Sequence, residues 1–255
     1  MRKILVSILL FLLFFTLSSQ RRMENLGRGL VASKISNGVY VNWRIPAQEW
    51  RNVSYNLYRD GAKINASPIT GASNFVDASG TLTSKYKVAA VVNGLEQPAG
   101  AEVSVLPNPW IEIELKPIPK ISGVDDKYYK YTSNDIVTGD LDGDGEYDFI
   151  VKRYNNQHDS ADPYGNKYYT LFDAYKSDGT FMWRIDVGPN LISHEEINAL
   201  VYDFDGDGKA EVVMRTSEGT VDGIGNVIPD LGNAMGQPYP DGKTNYRDGL
   251  QMNNS

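Results

Sequence analysis

Asp140-Leu-Asp-Gly-Asp-Gly-Glu-Tyr-Asp148 runs straight into Phe149-Ile-Val-Lys152, and Asp203-Phe-Asp-Gly-Asp-Gly-Lys-Ala-Glu211 runs straight into Val212-Val-Met-Arg215. The second copy begins 63 residues after the first, from Asp140 to Asp203. In each, acidic residues alternate across a turn that two glycines allow to bend sharply. Carboxylates in this pattern converge on one point, the arrangement a hard cation such as Ca²⁺ requires for its six to eight oxygen ligands. Without a cation the arrangement is costly. Two carboxylates roughly 5 Å apart at an effective dielectric near 20 repel by about 3 kcal/mol. The spacing therefore marks Asp140, Asp142, Asp144 and Asp148 as ligands, with the backbone carbonyl of Glu146 completing the ring. Asp203, Asp205, Asp207 and Glu211 hold the same places in the second copy, with the carbonyl of Lys209. An EF-hand would need a bidentate Glu at the twelfth position. Val151 and Met214 stand there, so a helix–loop–helix reading fails. A solvated acidic turn is the competing reading for one loop alone. Two copies entering β-branched strands favour Ca²⁺, in a structural more than a catalytic role.

Outward from these loops the chain reads as strands. Leu171-Phe-Asp-Ala-Tyr175, Asp178-Gly179 and Phe181-Met-Trp-Arg-Ile185 make a hairpin. Strand, acidic loop, strand and hairpin, repeated, predict blades of a β-propeller. The polar insert from Asn155 to Lys167 lengthens the repeat and predicts a long surface loop. Ser193–Leu200 has room for one helical turn at most. Ile111, Ile113 and Leu115 alternate with Glu112 and Glu114, which predicts a strand before Pro117 and Pro119 end it.

Upstream, Val39-Tyr-Val-Asn-Trp43 and Val53-Ser-Tyr-Asn-Leu-Tyr58 alternate like half-buried strands. Asp60-Gly61 and, after Tyr86–Val92, Asn93-Gly94 mark tight hairpins. Residues 23–106 therefore predict a β-sandwich resembling a fibronectin type III domain, with Trp43 and Tyr86 in its core. Leu106-Pro-Asn-Pro109 reads as a linker, and residues 107–255 as the first blades. The fold class is all-β.

Residues 1–20 carry Arg2 and Lys3, an apolar run from Ile4 to Leu17, then Ser18 and Ser19. This is the pattern of an export signal, too short for the roughly 20 residues of a membrane span. A secreted, periplasmic or cell-surface location follows. The chain has no cysteine, so packing or metal must hold an exported fold together. The net charge of −7 speaks against nucleic acid, whose phosphates want a basic stripe. A monomer is expected.

The same stretches resemble the rhamnogalacturonan lyases of polysaccharide lyase family 11. Met23-Glu-Asn-Leu-Gly-Arg-Gly-Leu30 and Val39–Arg44 are similar to that family's opening β-domain. Tyr131-Thr-Ser-Asn-Asp135, the two acidic loops, Asp173-Ala-Tyr175, Asp178-Gly-Thr180 and Trp183-Arg-Ile-Asp186 follow in its order. The resemblance implies an eight-bladed propeller with several calcium ions and a central cleft. It also implies β-elimination of the rhamnose–galacturonate backbone of rhamnogalacturonan I, in which neutralising the uronate carboxylate eases loss of the C5 proton. Ser193-His-Glu-Glu-Ile197 stands where the family carries a Gly-Ala-His-Tyr-like stretch, and the chain ends after about two blades. A fragment or a truncated gene is expected, prone to aggregate in isolation.

Lys152, Arg153 and Arg215 follow the acidic loops and are candidates to meet a uronate carboxylate, against a reading as solvated or ion-paired cations. His194, beside Glu195 and Glu196, is a candidate cleft residue, whereas His158 reads as exposed. No residue is assigned as catalytic base. The alternative function is a glycan-binding or adhesion propeller without catalysis, its calcium loops only bracing the blades.

Overall fold

The computed structural model describes residues 26–46, 49, 51–119, 131–155, 170–188, 197–216 and 219–228. All regular structure among them is β. The candidate export signal, most of the polar insert, and His158 and His194 lie outside the described residues.

Eight strands build the N-terminal sheet: β1 (Val31–Ile35), β2 (Gly38–Asn42), β3 (Val53–Arg59), β4 (Ala62–Lys63), β5 (Asn74–Asp77), β6 (Lys85–Val92), β7 (Leu95–Glu96) and β8 (Val103–Leu106). They pair in the order β4-β3-β6-β8-β1-β2-β5, with β7 on the flank of β6. The hairpins sit where Asp-Gly and Asn-Gly stand in the sequence. Asp60 (φ 52°) and Gly61 (φ 83°) join β3 to β4, and Asn93 (φ 50°) and Gly94 (φ 79°) join β6 to β7. Positive φ at both central residues matches the twist of the flanking strands.

β8 joins the two halves. Val103 and Ser104 pair with β6, and Val105 and Leu106 pair in parallel with β1. The layers expected of a sandwich are thus one curled sheet, continuous through a strand that serves both. Its core draws Ala32, Val39, Val41, Trp43, Tyr55, Leu57, Tyr86 and Val88 from both halves. Trp43 and Tyr55 meet edge to face with centroids 5.1 Å apart. Asp77, buried at the end of β5, accepts from the Tyr86 hydroxyl at 2.8 Å and from Arg59 at 2.6 and 2.8 Å. Burial opposes its ionisation, but the Tyr86 and Arg59 bonds outweigh this and hold its carboxyl below the usual range.

The second half opens with a four-stranded antiparallel meander: β9 (Tyr131–Gly139), β10 (Asp148–Asn155), β11 (Leu171–Tyr175) and β12 (Phe181–Asp186), in the order β12-β11-β10-β9. A two-stranded pair follows, β13 (Ala199–Tyr202) and β14 (Glu211–Met214). Ile150, Phe172 and Ala174 of the meander pack with Ile197 and Ala199, and Val201, Val212 and Met214 close the cluster. The repeat seen in the sequence is therefore two strand–acidic loop–strand units packed on each other. Gly139 lies at their closest approach: a Cβ there would fall 2.4 Å from Val201 and 2.9 Å from Ala210.

One expectation is corrected. Ile111–Leu115 forms no ladder. The segment runs extended along an apolar groove, lined also by Val31, Ile136, Phe149 and Val151. Period-two alternation fits any extended chain with one greasy side, and here side chains anchor the end of the segment. The N–H of Lys116 donates to the Tyr175 hydroxyl at 2.8 Å, and its carbonyl accepts from Arg153 at 2.6 Å. Of Ser193–Leu200, with room for one helical turn at most, residues 193–196 lie outside the described residues, and Ala199 and Leu200 open β13.

Candidate metal centres

Each acidic loop is wound on its first carboxylate. In the first, buried Asp140 accepts the N–H groups of Gly143 (2.8 Å) and Gly145 (2.9 Å). In the second, buried Asp203 accepts those of Gly206 (2.6 Å) and Gly208 (3.0 Å). The ladder then repeats step for step. Asp142 takes the N–H of Asp144 and Asp144 that of Glu146; Asp205 takes the N–H of Asp207 and Asp207 that of Lys209. Asp148 and Glu211 reach back to the N–H of Leu141 (2.9 Å) and Phe204 (2.8 Å). Gly143, Gly145, Gly206 and Gly208 all have φ between 79° and 97°, a region that strains any residue with a Cβ.

The winding brings oxygens together. Asp203, Asp205, Asp207 and Glu211 each place a carboxylate oxygen within 4.8 Å of the others, and Asp140, Asp142 and Asp144 do the same. Asp148 stands outside the first group. Burial, with the charges of Asp142 and Asp144 added, raises its pKa to about 6. The Glu146 side chain turns to Arg44 at 3.9 Å, and the stem of Lys209 lies over Gly143. Their carbonyls remain the candidate donors.

A cation already sits at the first loop. The Lys176 ammonium pairs with both Asp142 and Asp144, the latter at 3.1 Å. Those two carboxylates raise its pKa, and it in turn lowers that of Asp142. An all-oxygen donor set that closes around an ammonium fits a hard divalent ion.

The candidate cations among the described residues have different surroundings. Lys152 is buried and lines a cavity of about 80 Å³ with Asp135, Phe172 and Asn198. Arg153, beyond a register shift, donates to Asp173 at 2.9 Å and to the Lys116 carbonyl. Arg184 joins the fully buried Asp173 carboxylate at 2.6 and 2.8 Å, so two guanidiniums share it. Arg215 is exposed beyond β14. The Asp173 centre was missed at sequence level; its signal was a carboxylate within the apolar run Leu171–Tyr175.

Residues 21–106 match the model of the rhamnogalacturonan I lyase beta-sheet domain, and residues 110–238 that of the C-terminal domain of rhamnogalacturonan lyase family 11. The chain belongs to rhamnogalacturonan lyase family 11. This family-11 chain is 45% identical over 211 residues to the rhamnogalacturonan endolyase YesW of Bacillus subtilis (strain 168), covering 82% of the chain and 34% of that protein. It is 42% identical over 215 residues to the rhamnogalacturonan exolyase YesX of the same organism, covering 83% of the chain and 35% of that protein. A rhamnogalacturonan lyase from Bacillus licheniformis superposes with a TM-score of 0.70 at 43% identity, over 88% of this chain and 38% of that one. The chain thus spans about a third of the length of the curated relatives it matches.

Proposed function

We propose that the protein to which this chain belongs is a rhamnogalacturonan lyase, cleaving the rhamnose–galacturonate backbone of pectic rhamnogalacturonan I by β-elimination. Family membership supports the substrate and reaction. The twin oxygen cages support calcium as the ion the fold needs, and they are the observation that carries the reading. Asp140, Asp142, Asp144 and the Glu146 carbonyl would hold one ion. Asp203, Asp205, Asp207, Glu211 and the Lys209 carbonyl would hold the other. Calcium supplies fixed positive charge that offsets carboxylate repulsion in the loops and, where a uronate binds, the charge of its carboxylate.

In this reading the strands and the Asp173 centre do the work of a scaffold. We read the four-stranded meander and the β13–β14 pair as the start of a propeller, a ring that eight blades would close. Asp173 holds Arg153 and Arg184 against the Lys116 carbonyl, fixing the chain where it enters the first blade. Arg153 is thereby committed to the frame, which leaves Lys152, Arg215 and His194 as candidate contacts to a uronate. We also read residues 1–20 as directing export, consistent with a polysaccharide substrate outside the cell.

Incubating the full-length protein with rhamnogalacturonan I tests the reading. Ultraviolet absorbance of an unsaturated uronate that grows with time, and stops on chelation, is expected. Retention of the polysaccharide without product would replace the lyase by the glycan-binding alternative. The lengths of the first products separate endo from exo cleavage.

A further inference from the structure

The first acidic loop faces the N-terminal sheet as well as the cation site. The N–H of Gly27 donates to the carbonyl of Gly145 at 2.7 Å. The fit is tight: a Cβ on Gly27 would lie 3.2 Å from the Glu146 carboxylate and 3.3 Å from the Gly145 carbonyl. Next to it, the Arg44 guanidinium stands 4.4 Å from the centre of the Tyr147 ring and 3.9 Å from the Glu146 carboxylate. Arg44 is itself held in place. Its N–H donates to the Arg28 carbonyl at 2.7 Å, and its side chain passes over Gly29, where a Cβ would fall 2.5 Å from Nε. Its Nε and Nη1 are buried without an acceptor, so it has donors to spare for a closer approach of Glu146.

These contacts all grip residues 145–147, the turn between ligand Asp144 and the strand that follows. The conformation of that turn depends on Asp140, Asp142 and Asp144 staying together. Their mutual repulsion pushes the loop open unless positive charge sits among them. The Lys176 ammonium, about a third exposed, offsets that repulsion less than a desolvated divalent ion would. The second loop is bound differently, to the first loop itself, through Ala210 and Lys209.

We propose that the cation site of the first loop is a docking lock, in which an ion held there fixes the N-terminal sheet against the first blade through Gly27 and Arg44. The proposal rests on the calcium reading above and adds what that ion controls. Linkage makes the effect reciprocal: docking strengthens ion binding at the first loop by the same factor that the ion strengthens docking.

Hydrogen exchange on the full chain, with calcium chloride or with chelator, reads the lock directly. Calcium is expected to slow exchange of the peptide covering residues 26–30 by about fivefold or more, the lower end for coupled sites. The slowing should persist when Asp205→Asn and Asp207→Asn disable the second loop, and vanish when Asp142→Asn and Asp144→Asn disable the first. In calorimetry, Arg44→Ala should weaken calcium binding in the Asp205→Asn/Asp207→Asn background by a similar factor. Calcium uptake by calorimetry with no slowing at 26–30, or equal slowing in the Asp142→Asn/Asp144→Asn variant, would overturn the lock while leaving the calcium sites standing. No uptake at all would overturn both.

Discussion

The backbone N–H of Ala210 donates to the carbonyl of Asp140 at 2.7 Å. The residue before Glu211, a candidate ligand of the second loop, thus holds Asp140, the first candidate ligand of the other. With Lys209 lying over Gly143 and Gly139 pressed between Val201 and Ala210, the two candidate ion sites form one packed unit. The hydrogen bond ties the entry of β14 to the exit of β9, so the two units of the repeat are joined at their acidic ends.

The contact leaves no room at Gly139. Gly139→Ala would need Val201 or Ala210 to shift, and overpacking of this kind costs about 1–3 kcal/mol. Urea denaturation should show the loss, and Val201→Ala in the same chain should recover most of it. Full stability in Gly139→Ala alone would mean the two units pack more loosely than described.

Asp173 is expected to be the most sensitive single carboxylate in the meander. Asp173→Ala leaves Arg153 and Arg184 crowded together without a counter-charge, and breaking a buried pair costs about 3–5 kcal/mol. Arg153→Lys keeps the charge but loses the fork that spans Asp173 and the Lys116 carbonyl, so a smaller loss is expected. Chemical denaturation of the two variants gives the order, and equal losses would assign the effect to charge alone.

Acid should weaken the N-terminal sheet through Asp77. Its folded-state pKa is depressed, so its contribution is fully present above the ordinary value of about 4 and is lost as pH falls through the lowered one. Asp77→Asn should be less stable than the parent at pH 7 by about 1–3 kcal/mol. The gap should narrow as denaturation is repeated toward pH 3. A gap that stays constant would show that the charge on Asp77 contributes nothing.

Lys176 competes for the first loop. Lys176→Met removes the ammonium from Asp142 and Asp144 and should tighten calcium binding there by a factor on the order of fivefold. Affinity at the second loop should stay as it was. Titration in the Asp205→Asn/Asp207→Asn background isolates the effect, and a weaker first site in Lys176→Met would contradict it.

The features that were legible in the sequence are those fixed by neighbours along the chain. The Asp60-Gly61 and Asn93-Gly94 turns and the hairpin from Leu171 to Ile185 form as read, and the acidic loops bend at their glycines, with Asp148 apart from the other three carboxylates of the first. Trp43 and Tyr86 could be placed in a core because alternation shows which face a strand buries. What escaped depends on register between distant segments. Nothing near Arg153 shows that Asp173 lies across the ladder, and nothing near Asp142 points to Lys176. The alternation at Ile111–Leu115 was real, but it records one apolar side and not a partner strand.

Calcium titration into metal-stripped chain by calorimetry bears most directly on the twin loops. One ion per loop is expected, with Asp142→Asn/Asp144→Asn and Asp205→Asn/Asp207→Asn each removing one binding event. Heat that is absent, or that survives with both loops disabled, would contradict the assignment.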